Sequence, residues 1–291
     1  MLQIRTIVVP TDRSACAERA YGPAADLAAR TGAEICVVHV AEPGGPVVDV
    51  APTTWDDVAA GLDLPPGVAP PTGPVVIEEI EATGLPAETL LAYAREHDAD
   101  LVVMGTAGRR GVARFFLGSV AEEVVRRADR PVLTVPCHEP RPHGPIVLAL
   151  DLGDGSREAL LHGKALSAAR GVALHAVHTV LWPTSPAYLS VIEMPPVETV
   201  TAAAQQALDA LIADTVGVGV VTVARIRLGG SVAHSVAAYL HDVGASLVVL
   251  STHQRTGSDR LVMGSVAEET LRMASCPVLT VRPGQRGLLA D

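Results

Sequence analysis

Aromatic residues make up only 3% of this 291-residue chain, although hydrophobic residues make up 48%. Its cores must therefore be built from Val, Leu, Ile and Ala, a composition suited to buried parallel strands flanked by Ala-rich helices. An excess of basic charge is missing too. A formal net charge of −10 argues against a broad footprint for nucleic acid or an anionic membrane, so any polyanionic partner is expected to be small and locally bound. No apolar run approaches the roughly 20 residues needed to cross a bilayer. The opening MLQIRTIVVPTDRS is a short strand pattern rather than the apolar region of a signal peptide. The cysteines, Cys16, Cys36, Cys137 and Cys276, show no C-x-x-C spacing and lie mostly in apolar runs. That predicts reduced core thiols rather than a disulfide framework or zinc site, and it suits a cytoplasmic protein. Absent as well are a G-x4-G-K-[S/T] phosphate loop, an SGG-x-D-S loop and any obvious base paired with a metal carboxylate, so the motifs of a nucleotide-cleaving enzyme are poor.

What is present is a repeat. Residues 104–136, MGTAGRRGVARFFLGSVAEEVVRRADRPVLTVP, return at 250–282 as LSTHQRTGSDRLVMGSVAEETLRMASCPVLTVR, but Gly105 and Gly108 of the first copy are Ser251 and Gln254 in the second. The length fits two ordinary domains, and the repeat assigns one copy to each.

Strand and helix patterns alternate in the same order in both halves. Copy one reads as a strand at 5–10, an Ala-rich helix, strands at 34–40 and 75–80, a helix at 85–97, a strand at 101–105, a helix from Gly118 and a strand at 131–135. Copy two repeats this from a strand at 146–151 to a closing strand at 278–282. Short apolar strands joined by helices call for parallel pairing with right-handed crossovers, hence a doubly wound α/β sheet in each half. Asp12 to Asp151 and His39 to His178 share an offset of 139, whereas Tyr93 to Tyr239 and Gly118 to Gly264 share 146. The difference falls in residues 41–74 of copy one, where dense Pro and Gly disfavour a long helix and only 53–62 suits a short one. The segment reads as a surface loop or flap, while copy two carries a convincing helix there. The expected domains are 1–137 and 146–291, joined by the Pro- and Gly-containing linker 138–145.

Ser119-x-x-Glu122 and Ser265-x-x-Glu268 have the spacing of a capping box, which explains GSVAEE in both copies without any ligand. It does not explain Gly105 and Gly108, which follow a strand and precede the cap. Glycine there can take positive φ or let bare backbone approach a ligand, and free amides of the next helix favour an anion such as phosphate. The bland reading is a tight strand-to-helix turn. Asp12, closing the first strand, likewise reads as a turn residue or a ligand contact. His39 and His178 lack metal-type partners and read as structural.

The full spacing G-x2-G-x9-G-S, from Gly105 through Gly108 and Gly118 to Ser119, resembles the universal stress protein family, as do the strand order, Asp12 and the PVLTV ending. The resemblance spans both halves and implies a tandem protein, each domain a five-stranded parallel sheet ordered 3-2-1-4-5 with helices on both faces. It implies ATP in the first domain, with Mg²⁺ or Mn²⁺ on the phosphates. Pro10, Thr11 and Asp12 would flank the nucleoside, the backbone at Val40 would meet the adenine edge, and Met104 would wall the base or sugar. Gly105, Gly108, Gly118, Ser119 and the amide of Val120 would cradle ribose and phosphates, with Arg109 offsetting charge. Ser251, Gln254 and an LGDG insertion after Asp151 would leave the second site degenerate. The closing strand is a sheet edge in this fold, so the two copies are expected to pair as an internal pseudo-dimer, with other surfaces left for a homodimer.

Three functions follow from these residues: an ATP-binding regulatory or stress-response module that is not an enzyme, a weak ATP-hydrolysing enzyme, or a nucleotide-free interaction module. Bound nucleotide separates the first two from the third, and turnover separates the first from the second.

Overall fold

The computed structural model describes residues 2–41, 75–81, 85–107, 117–138, 143–183, 194–252, 263–285 and 287–289. The chain divides into two compact units, Met1–Glu139 together with Gln285–Asp291, and Pro140–Gly284. The C-terminal end of the expected second domain thus groups with the first unit. Leu2 and Leu289 form an antiparallel bridge, the Gln3 amide donates to the Leu288 carbonyl at 2.8 Å, and Leu288 is fully buried.

Unit 1 contains β1 (Thr6–Thr11), β2 (Glu34–Ala41), β3 (Val75–Glu81), β4 (Leu101–Gly105) and β5 (Val132–Val135), with helices α1 (Ala15–Glu18), α2 (Tyr21–Thr31), α3 (Pro86–Glu96) and α4 (Ser119–Arg127). The strands lie in the order 3-2-1-4-5, all paired parallel. Unit 2 repeats the plan with β6 (Ile146–Leu150), β7 (Leu174–Leu181), β8 (Val223–Gly229), β9 (Leu247–Ser251) and β10 (Val278–Val281), and with helices α5 (Gly155–Arg170), α6 (Val197–Thr215), α7 (Val232–Val243) and α8 (Ser265–Met273). Its order is β8-β7-β6-β9-β10. The α/β class and the 3-2-1-4-5 topology agree with the sequence reading.

Continuous apolar runs become central strands because both faces of a doubly wound sheet are covered. Ile7, Val8 and Val9 of β1 and Ile146, Val147 and Leu148 of β6 are all essentially inaccessible. Register is pinned at the N-terminal edge of unit 1 by Asp100, whose carboxylate accepts from the amides of Arg5 at 2.7 Å and Thr6 at 3.2 Å. The Ser246 hydroxyl takes the equivalent place in unit 2 and donates to the Gly144 carbonyl at 2.7 Å. A Cβ on Gly144 would sit 1.7 Å from the Gly244 carbonyl oxygen, so backbone contact excludes any side chain there. Arg130 is buried, and its guanidinium donates to the carbonyls of Ala94 and Ala99 and to the Asp129 carboxylate.

Local structure departs from the sequence reading in four places. The Ala-rich helix after β1 is broken into α1 and α2, because Pro23 has no N–H to donate to the preceding turn and is tolerated only in the first turn of a new helix. Unit 2 has no proline there, and α5 runs unbroken for 16 residues. LGDG is not an insertion, since the C-caps Gly32 and Gly171 keep the 139-residue offset across it. Gly118 and Gly264, not Ser119 and Ser265, occupy the N-caps of α4 and α8, with no side-chain cap hydrogen bond, so the capping box is not formed. Finally, Cys16 and Cys137 form a disulfide, whereas Cys36 and Cys276 are the buried thiols expected. Of segment 41–74 only Ala41 lies within the described residues, so the flap and the short helix at 53–62 lie outside them.

Candidate functional site

In an open α/β sheet the ligand crevice lies outside the carboxyl ends of strands where the order reverses. In unit 1 that point falls between β1 and β4, which pair in parallel. Beyond β1 the chain turns sharply at Arg13, which has φ 60°. The turn is closed by Ser14, whose amide donates to Asp12 Oδ1 at 3.1 Å, and by Arg13, whose amide donates to Thr11 Oγ1 at 2.9 Å. Ser14 then caps α1 by accepting from the Ala17 amide. Asp12 is thus a turn residue by geometry, with its half-buried carboxylate held at the switch point.

His39 ends the β1–β2 pairing opposite Thr11. Because a carbonyl only accepts, its Nδ1 donates to the Thr11 carbonyl at 2.9 Å. His178 does the same to Leu150 at 2.8 Å in unit 2. The two histidines are fasteners that hold the carboxyl end of one strand to its neighbour. Beneath this turn lies Tyr21, whose phenol pKa burial pushes above its ordinary value against the opposing hydrogen bond with Thr11.

Gly105 ends β4. Its φ is not positive, so the glycine is needed for a different reason. A Cβ there would lie 2.7 Å from the Cys16 carbonyl oxygen, 3.1 Å from its carbon and 3.2 Å from Ala17 Cα. These are backbone atoms of α1 and cannot rotate away. The following Thr106 donates its amide to Val135 at 3.0 Å, and its carbonyl accepts from Gly118 at 2.7 Å. That second bond places the N-terminus of α4 directly beside the end of β4.

At this N-terminus Gly118 adopts extended backbone and, as a glycine in the N-cap position, brings no side chain to cap the first turn. Ser119 is exposed and Val120 half-buried. An uncapped first turn presents amides that complement an anion. Of the predicted site residues, Thr11, Asp12, Gly105, Gly118, Ser119 and Val120 come together at the carboxyl edge around the switch point, with Val40 one strand away on β2. Pro10 and Met104 are buried within β1 and β4. Gly108 and Arg109 lie outside the described residues, as does Gln254.

Unit 2 keeps the turn but alters its chemistry. Leu152 has φ 64°, and Asp151 Oδ1 accepts from the Gly153 amide and the Ser156 hydroxyl, each at 2.9 Å. Ala17, which has no hydroxyl, stands at the Ser156 position in unit 1. Ser251 replaces Gly105 and brings a buried hydroxyl oxygen with no hydrogen-bond partner among the described residues.

The feature missed by sequence reasoning is the disulfide. Cys16 sits on α1 just after β1, and Cys137 follows β5, so the bond crosses the end of β4 with Cα atoms 4.7 Å apart. A separation of 121 residues hides the pair in the sequence. The usable signal was topological: in the order 3-2-1-4-5, β1 and β5 both neighbour β4, so residues just past their carboxyl ends can meet.

Comparison with known proteins bears on both units. The family model described as "Universal stress protein family" matches residues 3–136 and again 143–282. A universal stress protein of Methanocaldococcus jannaschii is 32% identical over 145 residues, covering 45% of this chain and 81% of that protein. One from Mycobacterium tuberculosis is 30% identical over 206 residues, covering 68% of this chain and 66% of its own length. Among solved structures, a functionally unknown protein of Pseudomonas aeruginosa superposes with a TM-score of 0.70 over 96% of this chain and 93% of that one, at 18% identity. That likeness supports the fold. With the family model matched over each half in turn, the chain belongs to the universal stress protein family as a tandem of two such domains.

Proposed function

We propose that the chain is a nucleotide-dependent regulatory module that binds one ATP, in unit 1. The observation that carries this reading is the uncapped first turn of α4, fastened to the end of β4 by the Gly118–Thr106 hydrogen bond at the topological switch. Its amides suit the phosphates, and the Ser119 hydroxyl adds a donor. Thr11 and Asp12 on one side, and the backbone at Val40 on the other, suit the nucleoside. Pro10, Met104, Gly105, Gly108 and Arg109 complete the assignment, the buried Met104 acting as floor rather than exposed wall.

The metal fits as a passenger of the ligand. Among the described residues no group of three His, Cys, Asp or Glu side chains could hold an ion unaided. Mg²⁺ or Mn²⁺ would therefore ride on the phosphates, where it offsets their charge. Unit 2 has the same uncapped turn at α8, but Ser156 occupies its aspartate and Ser251 adds bulk at the β9 end. This supports a single ligand per chain.

Calorimetric titration of nucleotide-stripped protein with ATP and Mg²⁺ tests the reading. One site per chain is expected, abolished in Asp12→Ala protein whose circular dichroism is unchanged. Two equivalent sites would refute the degenerate second unit, and no binding would refute the nucleotide function. Phosphate release well above the background of ATP alone would refute the non-enzymatic reading.

A further inference from the structure

The four cysteines divide sharply by environment. Cys36 and Cys276 are buried, and burial pushes the Cys276 thiol pKa up to about 12. Burial withholds both sulfurs from reagents in solution. The linked pair differs: Cys16 is half-buried and Cys137 is exposed. Accessible thiol chemistry among the cysteines is therefore concentrated at one bond.

That bond lies where the crevice is built. The Cys16 carbonyl is the nearest neighbour of the Cβ position on Gly105, and Cys137 Sγ lies 3.8 Å from the Thr106 hydroxyl. Thr106 in turn holds the N-terminus of α4 through its carbonyl. The disulfide thus ties together α1, the end of β4 and the stretch that follows β5. Unit 2 supplies an internal comparison, since the 139- and 146-residue offsets place Gly155 and Pro283 where Cys16 and Cys137 stand. The pair occurs in the unit that carries Gly105 and Gly108, and it is absent from the unit that has Ser251 and Gln254 in their places.

We propose that Cys16–Cys137 is a thiol-exchange site that sets the affinity of the unit 1 crevice: oxidised, it holds α1 against the end of β4 and the site is organised; reduced, the crevice loosens and ligand is released. The partner is a thiol reductant, either a low-molecular-weight thiol or a dithiol protein. A thiolate attacks Sγ of Cys137, the more exposed residue of the pair, and expels Cys16 Sγ as a thiolate, leaving a mixed disulfide on Cys137. A second thiolate attacks the reductant's sulfur and expels Cys137 as a thiolate. Two reductant thiols become one disulfide, and its two electrons reside on the two cysteines. Re-oxidation runs the same steps backwards with a disulfide oxidant. Because coupling is reciprocal, bound ATP must also protect the bond from reduction by the factor through which the bond improves ATP binding.

The inference rests on the nucleotide reading, and the experiment separates the two. Full-length protein is oxidised with glutathione disulfide or reduced with dithiothreitol, and the bond is located by mass spectrometry of the linked peptides. Titration with ATP and Mg²⁺ is then combined with hydrogen exchange at residues 101–107. Oxidised protein is expected to bind about fivefold or more tightly than reduced, within the usual range of allosteric coupling. Cys16→Ser/Cys137→Ser protein should match the reduced form and ignore dithiothreitol, and ATP should slow reduction of the bond. Failure to form the linked peptide overturns the proposal, as does equal affinity in both states, which leaves nucleotide binding standing. If neither state binds ATP, the nucleotide reading fails; faster exchange at 101–107 on reduction then keeps the switch for another ligand, and unchanged exchange removes it. Should the double variant not fold, a folded Cys137→Ser single variant, which also lacks the bond, replaces it in the same titration.

Discussion

Gly105→Ala isolates the reason for a glycine at the end of β4. The added methyl would meet the Cys16 carbonyl oxygen at 2.7 Å, with the Cys16 carbon and Ala17 Cα just behind. Real Cβ contacts need several tenths of an ångström more, and every atom in the way belongs to the α1 backbone. That backbone is held by the Ser14 cap and by the bond to Cys137. Forcing extra volume into a packed site costs about 1–3 kcal/mol. Restricting the unfolded chain returns about 0.4–1 kcal/mol. The net expectation is destabilisation of about 1–2 kcal/mol, or a fall in Tm of about 3–6 °C for a domain of this size. Urea titration followed by circular dichroism reads the effect, with Ser251→Gly as the reciprocal variant. The latter should be close to neutral, since the chain-entropy cost of about 0.5–1 kcal/mol is offset by removing the buried, unpartnered Ser251 hydroxyl. A neutral or stabilising Gly105→Ala would refute the close-approach argument and return the glycine to the ligand alone.

Arg130→Ala should destabilise unit 1 by about 2–4 kcal/mol, because it strands the buried carbonyls of Ala94 and Ala99, and urea unfolding will show it. His162 is buried, and burial lowers its pKa against the opposing bond from its Nδ1 to the Glu158 carbonyl. The unfolded chain therefore takes up this proton first, so the stability associated with neutral His162 is complete above about pH 6.5 and is lost as pH falls through the lowered folded value. Urea midpoints between pH 8 and pH 5 should drop less in a folded His162→Gln variant than in the unaltered protein. Cys276, with its thiol pushed up to about 12, should resist iodoacetamide at pH 8 in the native protein and react on unfolding; rapid native labelling would contradict its burial.

The alternation of apolar runs with Ala-rich periodicity was enough to predict parallel sheets, because strands covered on both faces carry an unbroken apolar signature such as TIVVP in β1. His39 and His178 are legible as structural residues and Asp12 as a turn residue or a ligand contact, but the carbonyls the histidines hold emerge only from the strand pairing. The sequence pattern puts Ser119 one position from its place in the helix, since a capping box and a helix that starts on its serine share the same spelling, and only backbone dihedrals distinguish them. Gly105 stands out in the sequence, but no local pattern reveals that a distant helix backbone passes within contact distance of it. Cys16 and Cys137 look like separate thiols in the sequence because their proximity exists only after strands β1, β4 and β5 are ordered side by side.

The bridge between Leu2 and Leu289 makes neighbours of the first and last described stretches, although the whole of unit 2 intervenes between them in sequence. Unit 1 is therefore discontinuous along the polypeptide and unit 2 is spliced into it. Expressing residues 1–139 alone would remove the segment that buries Leu288, so a half made by cutting only at the linker is an incomplete version of unit 1. A circular permutant restores continuity: joining the ends near Leu2 and Leu289 and opening the chain between 139 and 143 would make each unit a single uninterrupted stretch. In a force experiment with handles at the two ends, the tension would reach that antiparallel bridge before it reached β1.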